Sequence, residues 1–131
     1  MDAARLIDEA IIARTMAYAP YSKFKVGCAI LLKNGKVIRG ANVENKSYGL
    51  TNCAERTALF KMVSEGITKF DVEAICIIGE TKDPIAPCGA CREVMNELLL
   101  PETKVVLANM ERDILETTVS ELLPLSFKME N

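Results

Sequence analysis

The chain contains no histidine and no tryptophan. The first absence removes Ser/His and Cys/His catalytic pairs and histidine-ligated metal sites. Any general acid or base must therefore be a carboxylate, lysine, tyrosine or cysteine. Aromatic residues are scarce, whereas half of the 131 residues are apolar, a balance that suits a compact α/β domain rather than a disordered chain. A basic excess is also missing: 16 Lys and Arg face 18 Asp and Glu. The cations are dispersed, so no footprint for a nucleic-acid duplex is expected. No apolar run is long enough to span a bilayer. Asp2, Asp8 and Glu9 interrupt the apolar N-terminal residues, which does not fit a signal peptide. Repeats, linkers and low-complexity segments are lacking. These features predict a single cytoplasmic domain over residues 1–131, with no membrane or nucleic-acid partner.

What is present is cysteine. The five thiols are an odd number, and without an export signal they read as reduced, so metal binding or catalysis is favoured over a disulfide framework. Two clusters stand out: Asn52-Cys53-Ala54-Glu55-Arg56 and Pro87-Cys88-Gly89-Ala90-Cys91. Three thiols at this spacing leave one position of a tetrahedral zinc ion open for water. Glu55 is then a candidate proton carrier for that water. Cys28 and Cys76 lie inside apolar strand patterns and read as core.

Apolar spacing predicts a helix over 3–18, ended by Ala19-Pro20-Tyr21-Ser22. Alternation at Val26, Cys28, Ile30 and Leu32, then Asn34-Gly35, predicts a strand and a hairpin returning over Lys36 to Asn42. Glu44 to Leu50 reads as a loop. Asn52 can cap a helix from about Cys53 to Glu65, ended by Gly66. Strands follow at Glu73 to Gly79 and Lys104 to Ala108, with a helix from about Cys88 to Leu100 between them. Ile114 to Thr118 reads as a fifth strand and Val119 to Leu123 as a short helix. Two β-α-β crossings imply parallel pairing and the hairpin an antiparallel pair. The expected fold class is therefore α/β, a three-layer α-β-α sandwich with a mixed, mostly five-stranded central sheet.

Both cysteine clusters then fall at helix N-termini, where free N–H groups and the helix dipole stabilise thiolates. Cys88 and Cys91, three apart, share a face of the first turn. Cys53 and Glu55 are two apart and would diverge in a regular helix, so they converge only if Cys53 sits at the helix boundary. Three thiolates and Zn²⁺ sum to a net −1, which weakens the Lewis acid. Arg56, the nearest fixed cation in sequence, is a candidate donor to a ligand sulfur. Other readings stay open. Asn52 and Glu55 also fit a capping box, Cys-x-x-Cys also fits a redox pair, and a closed structural zinc site with a fourth cysteine also fits the composition.

Cys-x-Glu followed by Pro-Cys-x-x-Cys is a variant of the zinc deaminase signature, with Cys where His often stands. Further segments are Ala19-Pro20-Tyr21-Ser22-Lys23-Phe24-Lys25-Val26-Gly27, Asn42-Val43-Glu44-Asn45, Cys53-Ala54-Glu55-Arg56-Thr57-Ala58, Pro87-Cys88-Gly89-Ala90-Cys91-Arg92 and Glu121-Leu122-Leu123-Pro124. With these the chain resembles the small, homotetrameric, zinc-dependent class of cytidine deaminases over nearly its whole length. The resemblance implies hydrolytic deamination of cytidine and 2′-deoxycytidine to the uridines, in pyrimidine salvage. It implies one zinc per subunit, held by Cys53, Cys88 and Cys91, with Glu55 moving a proton to N3 and then to the leaving ammonia. Phe24 would pack on the pyrimidine, Asn42 and Glu44 would bind the ribose hydroxyls, and Ala54 would also contact the substrate. Tyr48 and Phe127 of neighbouring subunits would close each site, coupling assembly to activity. Lys46 stands where the family usually has a small residue near the 5′ end, and the C-terminal tail is short. A related deaminase acting on a free base, a nucleotide or a nucleoside antibiotic is the alternative enzyme, and Asn42 and Glu44 argue against the free base.

Overall fold

The computed structural model describes residues 2–129. Its helices are α1 (Ala3–Arg14), α2 (Ala54–Ser64), α3 (Gly89–Leu98) and α4 (Val119–Leu122). Its strands are β1 (Val26–Leu32), β2 (Val37–Ala41), β3 (Val72–Gly79), β4 (Lys104–Asn109) and β5 (Ile114–Thr118). The strands form one sheet in the order β2-β1-β3-β4-β5. Only β3 and β4 pair in parallel, whereas β1 runs antiparallel to both β2 and β3, and β5 antiparallel to β4. The sheet is mixed and five-stranded, as expected.

Side-chain alternation divides the sheet into two faces. Ala29, Leu31, Ala74, Cys76, Ile78, Val106 and Ala108 pack with Leu6, Ile7 and Ala10 of α1. The alternate set, Cys28, Ile30, Leu32, Ile75, Ile77, Val105 and Leu107, packs with Ala58, Leu59 and Met62 of α2 and with Met95 of α3. The result is three layers. Cys28 and Cys76 are fully buried in these two cores, as their strand patterns predict.

The structure corrects several expectations. α1 stops at Arg14, and residues as far as Ala17 form turns before Tyr18 bridges Val43. Tyr18 N donates to Asn42 O, so the end of the predicted helix is spent pairing with the segment after β2. The first of the two crossings does not join neighbours. β2 and β3 are co-directional, but β1 lies between them. α3 is shorter than predicted, because Leu99 is already extended. The Glu44 to Leu50 segment contains a 3₁₀ turn over Tyr48–Leu50. A second 3₁₀ turn, Lys69–Asp71, carries a capping box between Thr68 and Asp71.

Gly40 lets α2 lie directly on β2. A Cβ there would sit 2.5 Å from Ala58 N and 2.8 Å from Ala58 Cα. These are backbone atoms, so a side chain could be admitted only by moving the helix. Gly40→Ala is therefore expected to lower stability by roughly 1–3 kcal/mol, read as a lower urea midpoint. An unchanged midpoint would show that α2 shifts freely on the sheet.

Candidate active site and metal centre

β2 and β3 run in the same direction, so the helices that follow them, α2 and α3, begin at the same edge of the sheet. A cleft opens there. Its apolar wall includes Phe24, Val26, Ile85 and Ala86. Its polar side includes Ser22, Asn42, Glu44, Thr51 and Asn52. Cys53, Ala54, Glu55 and Cys88 also line it. Binding in a crevice outside the carboxyl ends of strands is the general habit of α/β sheets.

Cys53 caps α2 with an extended backbone, φ −74° and ψ 157°, and Cys88 caps α3 with φ −69° and ψ 166°. Asn52 is thus not the helix cap. Its N–H donates to Val43 O at 2.9 Å and its side-chain amide to Thr57 Oγ1 at 3.2 Å. With the Asn52 N–H engaged elsewhere, the Asn52–Glu55 capping box does not form. Glu55 is instead buried, with 5% of its surface exposed. Because Cys53 lies outside the regular helix, the i, i+2 divergence does not apply, and Cys53 and Glu55 both face one cleft.

The Sγ atoms of Cys53, Cys88 and Cys91 all lie within 4.8 Å of one another. Three thiolates on tetrahedral zinc are about 3.8 Å apart at a Zn–S bond of about 2.3 Å. The donor set therefore fits one zinc ion. No fourth His, Cys, Asp or Glu joins this cluster among the described residues, which leaves one coordination position to a ligand from outside the set. Cys91 is buried beneath the pair that lines the cleft, and its N–H donates to Cys88 Sγ at 3.5 Å.

Charge is distributed unevenly over these groups. Without metal, the Cys53 thiol is lowered to about 5, first by a hydrogen bond from Cys91 and further by Arg56. Cys91 is correspondingly raised, because its proton is held by Cys53 and its surroundings are desolvated. Arg56 Nη2 donates to Cys53 Sγ at 3.1 Å. Burial raises the Glu55 carboxyl above its ordinary range, the direction a proton carrier requires. Burial alone pushes Cys76 up to about 12, and Cys28 is raised chiefly by the same cause.

The segment carrying Cys88 is held from both sides. Buried Asn109, at the end of β4, donates to Lys82 O at 2.9 Å and to Asp113 Oδ2 at 2.9 Å. Its Oδ1 accepts from the N–H groups of Glu111 and Asp113. Arg92 donates from Nε to Pro87 O at 2.9 Å and from Nη1 to Leu122 O at 3.0 Å. Neither residue is recognisable as a clamp in the sequence, because Lys82 lies 27 residues from Asn109 and Leu122 lies 30 residues from Arg92. Ile85 and Ala86 were likewise invisible as wall residues; only their place just before Pro87 and Cys88 hinted at it.

Asn42 is 8% exposed, and its amide joins β1 to β2's continuation: Nδ2 donates to Phe24 O and Oδ1 accepts from Val26 N, each at 2.8 Å. Glu44 Oε1 accepts from Tyr21 N at 3.0 Å and Ser22 N at 3.1 Å. The Ser22 hydroxyl donates to Oε2. These bonds, the Ser22 hydroxyl first, hold the Glu44 carboxyl below its usual range. Tyr48 and Phe127 do not line the cleft of their own chain and are 91% and 72% exposed. Lys46 is exposed and also lies outside the cleft lining.

Fold and cluster together define a class: a three-layer α/β domain with a three-thiol metal centre beside a buried carboxylate. Residues 1–108 match the family described as cytidine and deoxycytidylate deaminase zinc-binding region. A cytidine deaminase from Halalkalibacterium halodurans is 62% identical over 131 residues, covering 100% of this chain and 98% of that one. One from Sporosarcina psychrophila is 48% identical over 131 residues, covering 100% and 95%. The crystal structure of a cytidine deaminase from Burkholderia pseudomallei superposes with a TM-score of 0.94 at 54% identity, over 97% of this chain and 100% of that one. The chain belongs to the cytidine and deoxycytidylate deaminase family of zinc-binding proteins.

The thiol environments predict an order of reactivity. After chelation of metal, iodoacetamide should modify Cys53 first, because its thiolate persists at neutral pH. That reactivity should disappear as pH falls through about 5. Cys28 and Cys76 should stay unmodified at neutral pH, as mapped by peptide mass spectrometry. Equal labelling of Cys28 and Cys53 would contradict the assignment.

Proposed function

We propose that the protein is a zinc-dependent hydrolase that deaminates cytidine and 2′-deoxycytidine to the uridines with release of ammonia, in pyrimidine salvage. The observation that carries this reading is the meeting of a three-thiol cluster and a buried carboxylate in one cleft. Family membership and two full-length relatives named cytidine deaminase support the substrate. Cys53, Cys88 and Cys91 would hold the zinc. When bound, zinc supplies a Lewis acid able to bring the pKa of water to about 7.

The remaining steps belong to the chain's own groups. Glu55 takes one proton from water as the water oxygen bonds to C4 and delivers it to ring N3. It then takes the second proton, from the C4 hydroxyl of the adduct, and delivers it to the exocyclic nitrogen as the C4–N bond breaks, leaving a C4 carbonyl and ammonia. Its raised pKa suits both halves of that transfer, since burial disfavours the charge that proton release would leave. Phe24 and the apolar wall fit a flat ring, and Ala54, at the first position of α2, borders it. Asn42 and Glu44 face the sugar hydroxyls. Arg56, already hydrogen-bonded to Cys53 Sγ, offsets the net negative charge of three thiolates on zinc and so preserves the metal's acidity. A structural zinc module would need a fourth ligand, and the thiol cluster has three members among the described residues.

We read residues 1–131 as one domain that works as a homotetramer in the cytoplasm. The single sheet supports the first part. Exposed Tyr48 and Phe127 support the second, as aromatics available to a neighbouring subunit's cleft. Five free cysteines suit a reducing compartment. No helix among the described residues is long and apolar enough to cross a membrane. The partner is a small nucleoside rather than a nucleic-acid strand, in keeping with the slightly acidic charge balance.

Glu55→Gln should lower turnover of cytidine at least about 100-fold, followed by ultraviolet absorbance, with zinc content unchanged. Turnover at the parental rate would remove Glu55 from the mechanism. Arg56→Gln should hasten zinc loss to a chelator; an unchanged rate would refute the charge-offset role. Refolding Glu55→Gln chains together with Phe127→Ala chains should give more activity than either alone. No gain would argue against sites shared between subunits.

A further inference from the structure

Ser22 lies in the cleft but has no part in the roles set out above. Its hydroxyl makes two bonds at once. It donates to Glu44 Oε2 and accepts from Phe24 N at 3.0 Å. One small side chain therefore joins the carboxylate on the polar side of the cleft to the aromatic residue on its apolar wall. Lys23, between Ser22 and Phe24, has a left-handed backbone with φ 63°. Such a conformation is uncommon for a residue with a side chain and must be held by its surroundings. Here the Phe24 N–H, turned back onto the Ser22 hydroxyl, is one bond that holds it.

Counting lone pairs shows what this leaves for a ligand. An ionised carboxylate has about four acceptor positions. On Glu44, Oε1 already accepts from Tyr21 N and Ser22 N, and Oε2 from the Ser22 hydroxyl. One position on Oε2 remains. A carboxylate free to rotate would offer that position in many directions; one held at both oxygens offers it in one.

We propose that Ser22 is a positioning residue of the nucleoside site: it fixes Glu44 so that the last acceptor position of its carboxylate meets a sugar hydroxyl, and it ties that geometry to the Phe24 wall. This rests on the reading that Glu44 binds the sugar. Removal of the Ser22 hydroxyl frees one end of the carboxylate and leaves Phe24 N without its acceptor. The chemistry at Glu55 is untouched, so the loss falls on binding of substrates that carry the hydroxyl.

The test compares the full-length, zinc-loaded parent with Ser22→Ala on cytidine and on 2′,3′-dideoxycytidine. For cytidine, KM should rise about ten-fold or more, the size expected for a hydrogen bond to a charged group, while kcat changes little. On the dideoxy substrate the rise in KM should be much smaller, because the sugar contact is already missing and only the loosened Phe24 wall is felt. Equal losses on both substrates, or a fall confined to kcat, would overturn the proposal. Should Ser22→Ala melt well below the parent, Ser22→Cys, which keeps the size and a weak donor, carries the same comparison with a smaller hydroxyl-dependent rise in KM. A parent that turns over both substrates with the same KM would instead overturn the sugar-binding reading of Glu44. A parent inactive on cytidine would overturn the proposed function.

Discussion

The site depends on one constraint: two helix N-termini must be held side by side at one edge of the sheet. A thiol at the start of a single helix can meet only its own near neighbours. Three thiols within reach of one ion require that α2 and α3 start together. The strand order achieves this, because β2 and β3 are co-directional and separated only by β1. Gly40 then brings α2 onto β2 without an intervening side chain. On the other side, Asn109 and Arg92 fix the segment from Lys82 to Pro87. The cluster is positioned by backbone packing and by hydrogen bonds from Asn109 and Arg92 to the carbonyl groups of Lys82 and Pro87.

Burial then assigns different chemistry to similar groups. Cys28 and Cys76 have the same thiol as Cys53, yet desolvation keeps them protonated whereas Cys53 gains a donor from Cys91 and a guanidinium from Arg56. Glu44 and Glu55 form a parallel contrast. Glu44 is surrounded by donors that favour its charge, whereas at Glu55 burial disfavours the charge and outweighs the donors beside it. An anion suited to accept hydrogen bonds and a carboxyl suited to carry a proton thus lie in one cleft, distinguished by surroundings rather than by residue type.

Much of this was legible from local pattern. The continuous apolar run at Ala74 to Ile78 located β3, because burial on both faces imposes such a run. The alternation of Val26, Cys28, Ile30 and Leu32 located β1, although the structure buries all seven of its residues. Asn34-Gly35 marked the hairpin. The boundaries were less legible where a tertiary bond outweighed propensity. Residues 15–18 have a helical composition, but the Tyr18 N–H is spent on Asn42 O. Asn52 is a better intrinsic cap than Cys53, yet its backbone is committed to Val43. At the first crossing the sequence implies adjacent pairing, because sequence order does not reveal that β1 inserts between β2 and β3.

By itself, the sequence determined the chemical inventory: no histidine, three suitably spaced thiols, one nearby carboxylate and an apolar pattern for an α/β sandwich. Those are properties of residue type and short-range spacing, which the chain carries wherever it goes. Tertiary structure alone decided which of these groups meet. It placed Cys53 outside the regular helix so that it shares a cleft with Glu55, left Tyr48 and Phe127 on the surface, and fastened Glu44 to Ser22 across 22 residues of sequence. The reason is geometric: pKa, coordination and hydrogen bonding depend on separations of a few ångströms, and between residues so far apart in sequence those separations are fixed only when the sheet and its helices have packed.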